Sequence, residues 1–254
     1  MKAKKSLGQH FLTQPKLAQR MADAIISLPD VASILEVGPG KGILTQYLVK
    51  RPEDLYLVEL DKDMLPILST RFGDLTIHYG DFLKLNIIDF ISGPFHLVGN
   101  FPYNISSQIL FRMLDHRSQI PQMVGMFQKE VAQRISSDHG SKRYGILSVL
   151  MQAYYEVDYL FSVGPSSFSP PPKVNSGVIR LVRRNVPLVP PEYEKIFRRV
   201  VKMAFNQRRK MLRNSLKSIL PPVLDNPIWQ LRPEQLSVQD FANLAMNLIS
   251  SQQE

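Results

Sequence analysis

Four short stretches of this 254-residue chain hold side chains of the types and spacings that bind and transform a polar ligand. The first, SILEVGPGKG, runs a branched-apolar segment into Glu36, Gly38, Gly40 and Gly42. Glycines just past a strand permit a tight turn and a close backbone approach by the ligand, with a helix N-terminus available to its polar atoms. Their spacing is GxGxG and not the GxGxxG of dinucleotide enzymes. Together with the lack of a proton-relay group near the strand ends, this counts against an oxidoreductase. Glu59 ends LYLVEL, twenty-one residues after Gly38, where open α/β sheets place an acid against ribose hydroxyls. Asp81 ends the next apolar run in HYGD. The fourth stretch, GNFPYNIS, offers the amide of Asn100, the stiffening ring of Pro102 and the flat face of Tyr103. A planar ligand with an exocyclic amine suits this set, because the amine can donate to the Asn100 carbonyl and to a backbone carbonyl near Phe101 while its ring stacks on Tyr103.

These residues need a scaffold that brings successive strand ends to one edge. From about residue 16 to 128, short apolar runs (SILEV, LYLVEL, LTIHY, FHLVG, QMVGMF) alternate with helical periods, which predicts a parallel α/β sheet covered on both faces. In ISSQILFRMLD, Ile105, Ile109, Leu110, Met113 and Leu114 form one apolar stripe. Residues 145–153 predict a further helix. YEVDYLFSV and SGVIRLVRR predict two late strands joined by a long proline-containing loop, an antiparallel hairpin closing the sheet edge. The prolines of VPLVPPE then block helix and strand alike, so the boundary is placed there, giving domains 1–185 and 186–254. The second is expected to be small and all-helical, with a long helix from Tyr193 to about Leu220 and a shorter one from Gln239 to Ile249. A further proline cluster, LPPVLDNP, falls between them.

Composition narrows the chemistry. With no cysteine, the chain has no disulfides, no thiolate nucleophile and no cysteine-held zinc or iron-sulfur cluster. No metal site is expected. The formal net charge of +9 favours a polyanionic partner. The start lacks a signal-peptide pattern, and no stretch of 18 consecutive apolar residues occurs, so a soluble, cytoplasmic protein is expected. Between Tyr193 and Lys217 lie nine basic residues and one acid, Glu194, which makes Arg208, Arg209 and Lys210 candidate phosphate contacts. Lys2, Lys4 and Lys5 suggest a mobile basic arm.

The motifs KKSLGQHFL, EVGPGKG, VEL, GD, GNFPYNIS, FSPPPKVNS and AFNQRRKMLRNSL together resemble, over essentially the whole chain, the ribosomal RNA small-subunit adenine dimethyltransferases. The resemblance implies a Rossmann-like methyltransferase sheet of seven strands, the last antiparallel, with S-adenosylmethionine as methyl donor. It implies that the donor's amino-acid portion lies at Gly38 and Gly40, its ribose at Glu59 and its adenine at Asp81, with His10, Leu12 and Asn100 completing the site. Many relatives have Asn where this chain has His10, and commonly Leu where it has Phe101. Asn100, Pro102 and Tyr103 would hold the target base, which Phe168, in the loop after the sixth predicted strand, would sandwich against Tyr103. The implied substrate is a pair of adjacent adenosines in the 3′-terminal hairpin loop of 16S rRNA within an immature small subunit, acted on by a monomer. Two other readings stay open: methylation of another nucleic acid, including 23S rRNA, and a main role as an assembly checkpoint.

Overall fold

The computed structural model describes residues 3–4, 7–219 and 226–250. It opens with a two-residue strand, β1 (Phe11–Leu12), and α1 (Pro15–Asp23), whose proline occupies the helix start, where no N–H is needed. Then follow β2 (Ser33–Val37), α2 (Thr45–Leu48), β3 (Asp54–Glu59), α3 (Leu65–Phe72), β4 (Thr76–Tyr79), β5 (Phe95–Asn100), α4 (Ser106–Asp115), β6 (Gln122–Gln128), α5 (Lys129–Ile135), α6 (Ile146–Gln152) and β7 (Tyr155–Val163). A second short strand, β8 (Phe168–Ser169), precedes β9 (Ser176–Arg183). The remaining α-helices among the described residues are α7 (Glu194–Asn206), α8 (Leu212–Ser215) and α9 (Val238–Ser250).

Seven strands form one mixed sheet in the order β4-β3-β2-β5-β6-β9-β7. β4, β3, β2, β5 and β6 run parallel to their neighbours, and β9 runs antiparallel to β6 from Gln122↔Val182 to Gln128↔Ser176. The expected late antiparallel strand is therefore present, but it is inserted between β6 and β7, and β7 takes the edge. Strand order reverses around β2, and the crevice at the carboxyl ends of β2 and its neighbours is where open α/β sheets bind ligands. All five residues of β2 are buried, which is why a parallel strand covered on both faces reads as one apolar run. β1 lies outside this sheet and pairs with β8, Phe11 opposite Ser169 and Leu12 opposite Phe168.

The chain packs as two units that differ from the expected 1–185 and 186–254. One runs to Ala132 and adds Asp158–Arg183; the other joins Gln133–Val157 to the chain from Arg184 onward. The second crossing falls near the proline-rich segment. The first was hidden because α6 and the start of β7 lie inside a stretch whose periodicity continues the sheet domain. In the second unit α7 turns Phe197, Val200, Val201 and Ala204 inward, and Phe205 stacks on Phe241 at 5.7 Å with the Tyr144 ring edge-on at 6.0 Å. The expected long helix from Tyr193 ends at Asn206, where Gln207–Lys210 turn before α8. Its expected end at Leu220, and most of LPPVLDNP, lie outside the described residues.

At the other end of the sheet from the glycine turn, His96 of β5 is fully buried, and neither ring nitrogen has a hydrogen-bond partner. Burial pushes its pKa down to about 4, opposed by Glu53, whose carboxylate lies 4.0 Å away and is paired with Arg51 at 2.8 Å. The folded pKa lies below that of an unfolded histidine, so the unfolded chain binds the extra proton first and stability falls as pH drops through 6.5 towards 4. The loss from this group between pH 7 and pH 5 is about 2 kcal/mol. Melting curves should show this fall in the wild type and a flatter profile in His96→Leu; identical pH profiles would exclude His96 as its source.

Candidate active site

At the carboxyl ends of β2, β3, β4 and β5 lies a cavity lined by the segment Leu7–Leu12, the turn Val37–Lys41, Val58–Leu60, Gly80–Phe82 and Asn100–Tyr103, together with Glu36, Ile43, Leu44, Met21 and Ile105. His10, Leu12, Gly38, Gly40, Glu59, Asp81, Asn100, Pro102 and Tyr103 are thus brought together at one place.

Gly38 has φ +69°, a backbone conformation that favours glycine, and a Cβ there would meet nothing within 4 Å, so the turn leaves open room at the cavity floor. Glu59 is 5% exposed. Its Oε2 accepts from the Gly40 N–H at 3.0 Å and its Oε1 from the Asp61 N–H at 2.8 Å. Burial pushes its pKa up, and these backbone N–H groups act against that. Asp81 Oδ1 accepts from the Leu83 N–H at 3.0 Å, which anchors the carboxylate beside the cavity.

Asn100 ends β5, and its Nδ2 donates to the His10 carbonyl at 3.0 Å. With one amide hydrogen used there, the side-chain carbonyl remains as an acceptor. Phe101 is held below the surface because its ring lies on Gly99 and Gly125; a Cβ at Gly125 would come within 2.5 Å of it. The Tyr103 hydroxyl meets Ser176 Oγ at 2.5 Å, which fixes the ring in plane and position. His10 donates from Nδ1 to the Pro170 carbonyl at 2.8 Å, and its ring stacks on Tyr103 at 5.6 Å.

Two expectations need correction. Phe168 does not line the cavity: it lies in β8 opposite Leu12, is 4% exposed, and belongs to the apolar core with Leu12, Val163 and Val178. Pairing with β1 turns it inward, and the ring beside Tyr103 is His10. Nor is Lys4 part of a free arm, since it is ion-paired with Asp61 and Asp63; Lys2 and Lys5 lie outside the described residues. Sequence reasoning also left Glu36 without a role, although it named it. Glu36 is 1% exposed, its Oε2 accepts from Thr45 Oγ1 at 2.7 Å, and burial, reinforced by Glu59 against the Thr45 bond, pushes its pKa up to about 8. Gln9, Lys41 and Phe82 were missed as lining residues. Gln9 stands in the GQHFL motif and Lys41 in EVGPGKG, so both had a readable signal, whereas Phe82 had none.

The arrangement fits S-adenosylmethionine. The buried carboxylate of Glu59 and the carboxylate of Asp81 line the same cavity, where they can accept from a ribose and an adenine amine, and the glycine turn leaves space for the amino-acid portion. The glycine turn, the acids on successive strand ends and a seven-stranded sheet with an inserted antiparallel strand define an S-adenosylmethionine-dependent methyltransferase.

The model of the ribosomal RNA adenine dimethylase family matches residues 1–228, and the chain belongs to that family. It is 49% identical over 255 residues to ribosomal RNA small subunit methyltransferase A of Cytophaga hutchinsonii, covering 98% of both chains. Among solved structures, a dimethyladenosine transferase from Plasmodium falciparum superposes with a TM-score of 0.80 at 23% identity, covering 96% of this chain and 98% of that one, and supports the fold. The 23S rRNA methyltransferase ErmE superposes with a TM-score of 0.73 at 26% identity, covering 92% and 99%. The protein is therefore an S-adenosylmethionine-dependent rRNA adenine dimethyltransferase. Among the described residues no helix is long and apolar enough to cross a membrane.

Proposed function

We propose that the protein dimethylates the exocyclic amines of two adjacent adenosines in the 3′-terminal hairpin loop of 16S rRNA, in the cytoplasm, acting as a monomer on an immature small subunit. The observation that carries the catalytic part is the Asn100 amide, which lines the cavity and is held through its nitrogen by the His10 carbonyl, leaving its oxygen as an acceptor. Gly38, Gly40, Glu59 and Asp81, with His10 and Leu12, hold the cofactor. When bound, S-adenosylmethionine supplies a methyl group on a sulfonium leaving group. An adenine amine conjugated with its ring is a poor nucleophile. By accepting its hydrogens, the Asn100 carbonyl and a backbone carbonyl near Phe101 favour a pyramidal nitrogen with its lone pair aimed along the line of transfer. Pro102 stiffens the turn that carries these acceptors, and Tyr103, fixed through Ser176, supplies a flat face for the base. A loop adenosine costs less to extract from its stack than a paired one.

The relative named a small-subunit enzyme favours 16S over 23S rRNA, against the likeness to ErmE, because it is closer in sequence and covers more of the chain. The deciding observation is the methylation of small- and large-subunit rRNA in a strain lacking the gene: unmethylated small-subunit adenosines are expected, and a loss confined to large-subunit RNA would overturn the assignment.

RNA contact is assigned to the helical unit, and within it the three candidate basic residues separate. Arg208 Nη2 donates to the Ser141 carbonyl at 3.1 Å, and its Nε lies 3.7 Å from Glu234, so it serves the unit's own structure. Arg209 and Lys210 are exposed. Changing both to Gln should lower the slope of log affinity against log salt for small subunits by roughly 0.9 for each phosphate no longer neutralised, with unchanged melting. Arg208→Gln should instead lower the melting temperature. A salt slope that is unchanged in the Arg209→Gln, Lys210→Gln protein would exclude both as phosphate-binding residues.

A further inference from the structure

The cavity wall formed by Leu7–Leu12 is held at both ends. At one end β1 pairs with β8, and the Thr13 N–H donates to the Ser167 carbonyl at 2.8 Å. At the other, everything converges on Asp61. Gln9 Nε2 donates to Asp61 Oδ2 at 2.7 Å, Lys4 Nζ meets Oδ1 at 2.5 Å, and the Asp63 N–H donates to Oδ1 at 3.1 Å. Gln9 Oε1 in turn accepts from the Lys4 N–H at 2.8 Å, and Lys4 Nζ also reaches Asp63 at 2.8 Å.

Asp61 itself is 2% exposed. Its backbone N–H donates to Glu59 Oε1 at 2.8 Å, and the other oxygen of Glu59 accepts from Gly40. One residue therefore links three parts of the site: its side chain holds the opening segment, and its backbone holds the carboxylate that is braced against the glycine turn. An exposed Lys-Asp pair would contribute little. A buried carboxylate is different, because removing any partner leaves an uncompensated charge. Burial alone would raise the pKa of Asp61, and the hydrogen bonds from Lys4 and Gln9 outweigh it and hold the carboxyl below its usual range.

We propose that Asp61 is a positioning residue for the methyl donor: through Gln9 and Lys4 it fixes the Leu7–Leu12 wall against the Glu59 loop, and this link sets how fast the cofactor leaves. The inference rests on the assignment of Glu59 and the opening segment to the cofactor site. Asp61 touches neither cofactor nor substrate in this arrangement, so its effect is on residence and not on the acceptor chemistry of Asn100.

The test measures S-adenosylmethionine dissociation by stopped flow in the full-length protein, hydrogen exchange of the residue 7–12 amides without ligand, and thermal melting. In Asp61→Ala, dissociation should quicken by roughly ten- to a hundredfold, as expected when one or two charge-assisted hydrogen bonds are removed, and exchange over residues 7–12 should rise. Gln9→Met, a change at a half-buried side chain, should move both readouts in the same direction and decides the matter if Asp61→Ala does not fold. Asp81→Ala should weaken cofactor binding while leaving exchange at residues 7–12 as in the wild type. Lowered melting with wild-type dissociation and exchange would reduce Asp61 to a structural role and overturn the proposal. Failure of the wild type to bind S-adenosylmethionine would instead refute the cofactor assignment, with the exchange measurement still reporting on the Asp61 anchor.

Discussion

Asn100→Ala is expected to slow methyl transfer by about thirty- to a thousandfold in a single turnover at saturating S-adenosylmethionine. The size follows from removing one oriented polar group in a dry pocket, about 2 to 4 kcal/mol of transition-state stabilisation. Two effects are bound up in that change, because the Asn100 amide also donates to the His10 carbonyl. Losing the donor loosens the opening segment, and losing the acceptor removes the proposed partner of the adenine amine. Asn100→Asp separates them. It keeps an acceptor at the same place but sets a carboxylate against the His10 carbonyl, so it should disturb the segment while retaining more transfer than Asn100→Ala. A single-turnover rate for Asn100→Ala within threefold of wild type would remove Asn100 from the mechanism.

The second large effect is at Glu59. Glu59→Ala should weaken S-adenosylmethionine binding by about 1.5 to 3 kcal/mol, the value of a charged acceptor for ribose hydroxyls, with small-subunit affinity nearly unchanged. The same carboxylate accepts from Gly40 and Asp61, so part of the loss comes from a glycine turn that is no longer braced. Glu59→Gln keeps the volume and one acceptor oxygen and should fall between wild type and Glu59→Ala. There is also a pH signature. Burial raises the Glu59 pKa, and protonation removes the charged acceptor, so affinity should decline with falling pH sooner than an ordinary carboxylate would allow. Calorimetric titration reads all three; wild-type affinity in folded Glu59→Ala would refute the assignment.

The features legible in the sequence are those with local signatures. β2, β3 and β5 read as apolar runs because both faces are buried, and the glycine turn, Glu59, Asp81 and Asn100 followed as the residues at strand ends. What stayed hidden depends on partners far apart in the chain. β1 and β8 are two-residue strands that form only because residues 11–12 meet 168–169, and no periodicity exists over two residues. That pairing buries Phe168, which the family resemblance placed against the target base opposite Tyr103. Arg208 looked like its basic neighbours until Ser141 and Glu234 were placed beside it. Asp61 stands in no motif of its own; it caps the turn at Asp63, and its hydrogen bonds with Gln9 and Lys4 span more than fifty residues. The insertion of β9 between β6 and β7 likewise needed the sheet order itself.

The most direct test of the central claim is incubation of the purified protein with labelled S-adenosylmethionine and immature small ribosomal subunits, followed by digestion of the RNA to nucleosides and mapping of the label. N6,N6-dimethyladenosine is expected at two adjacent positions of the 3′-terminal hairpin loop, and far less with Asn100→Ala over the same time. Label that stops at monomethyladenosine, or that enters large-subunit RNA in place of the small-subunit hairpin, would contradict the claim.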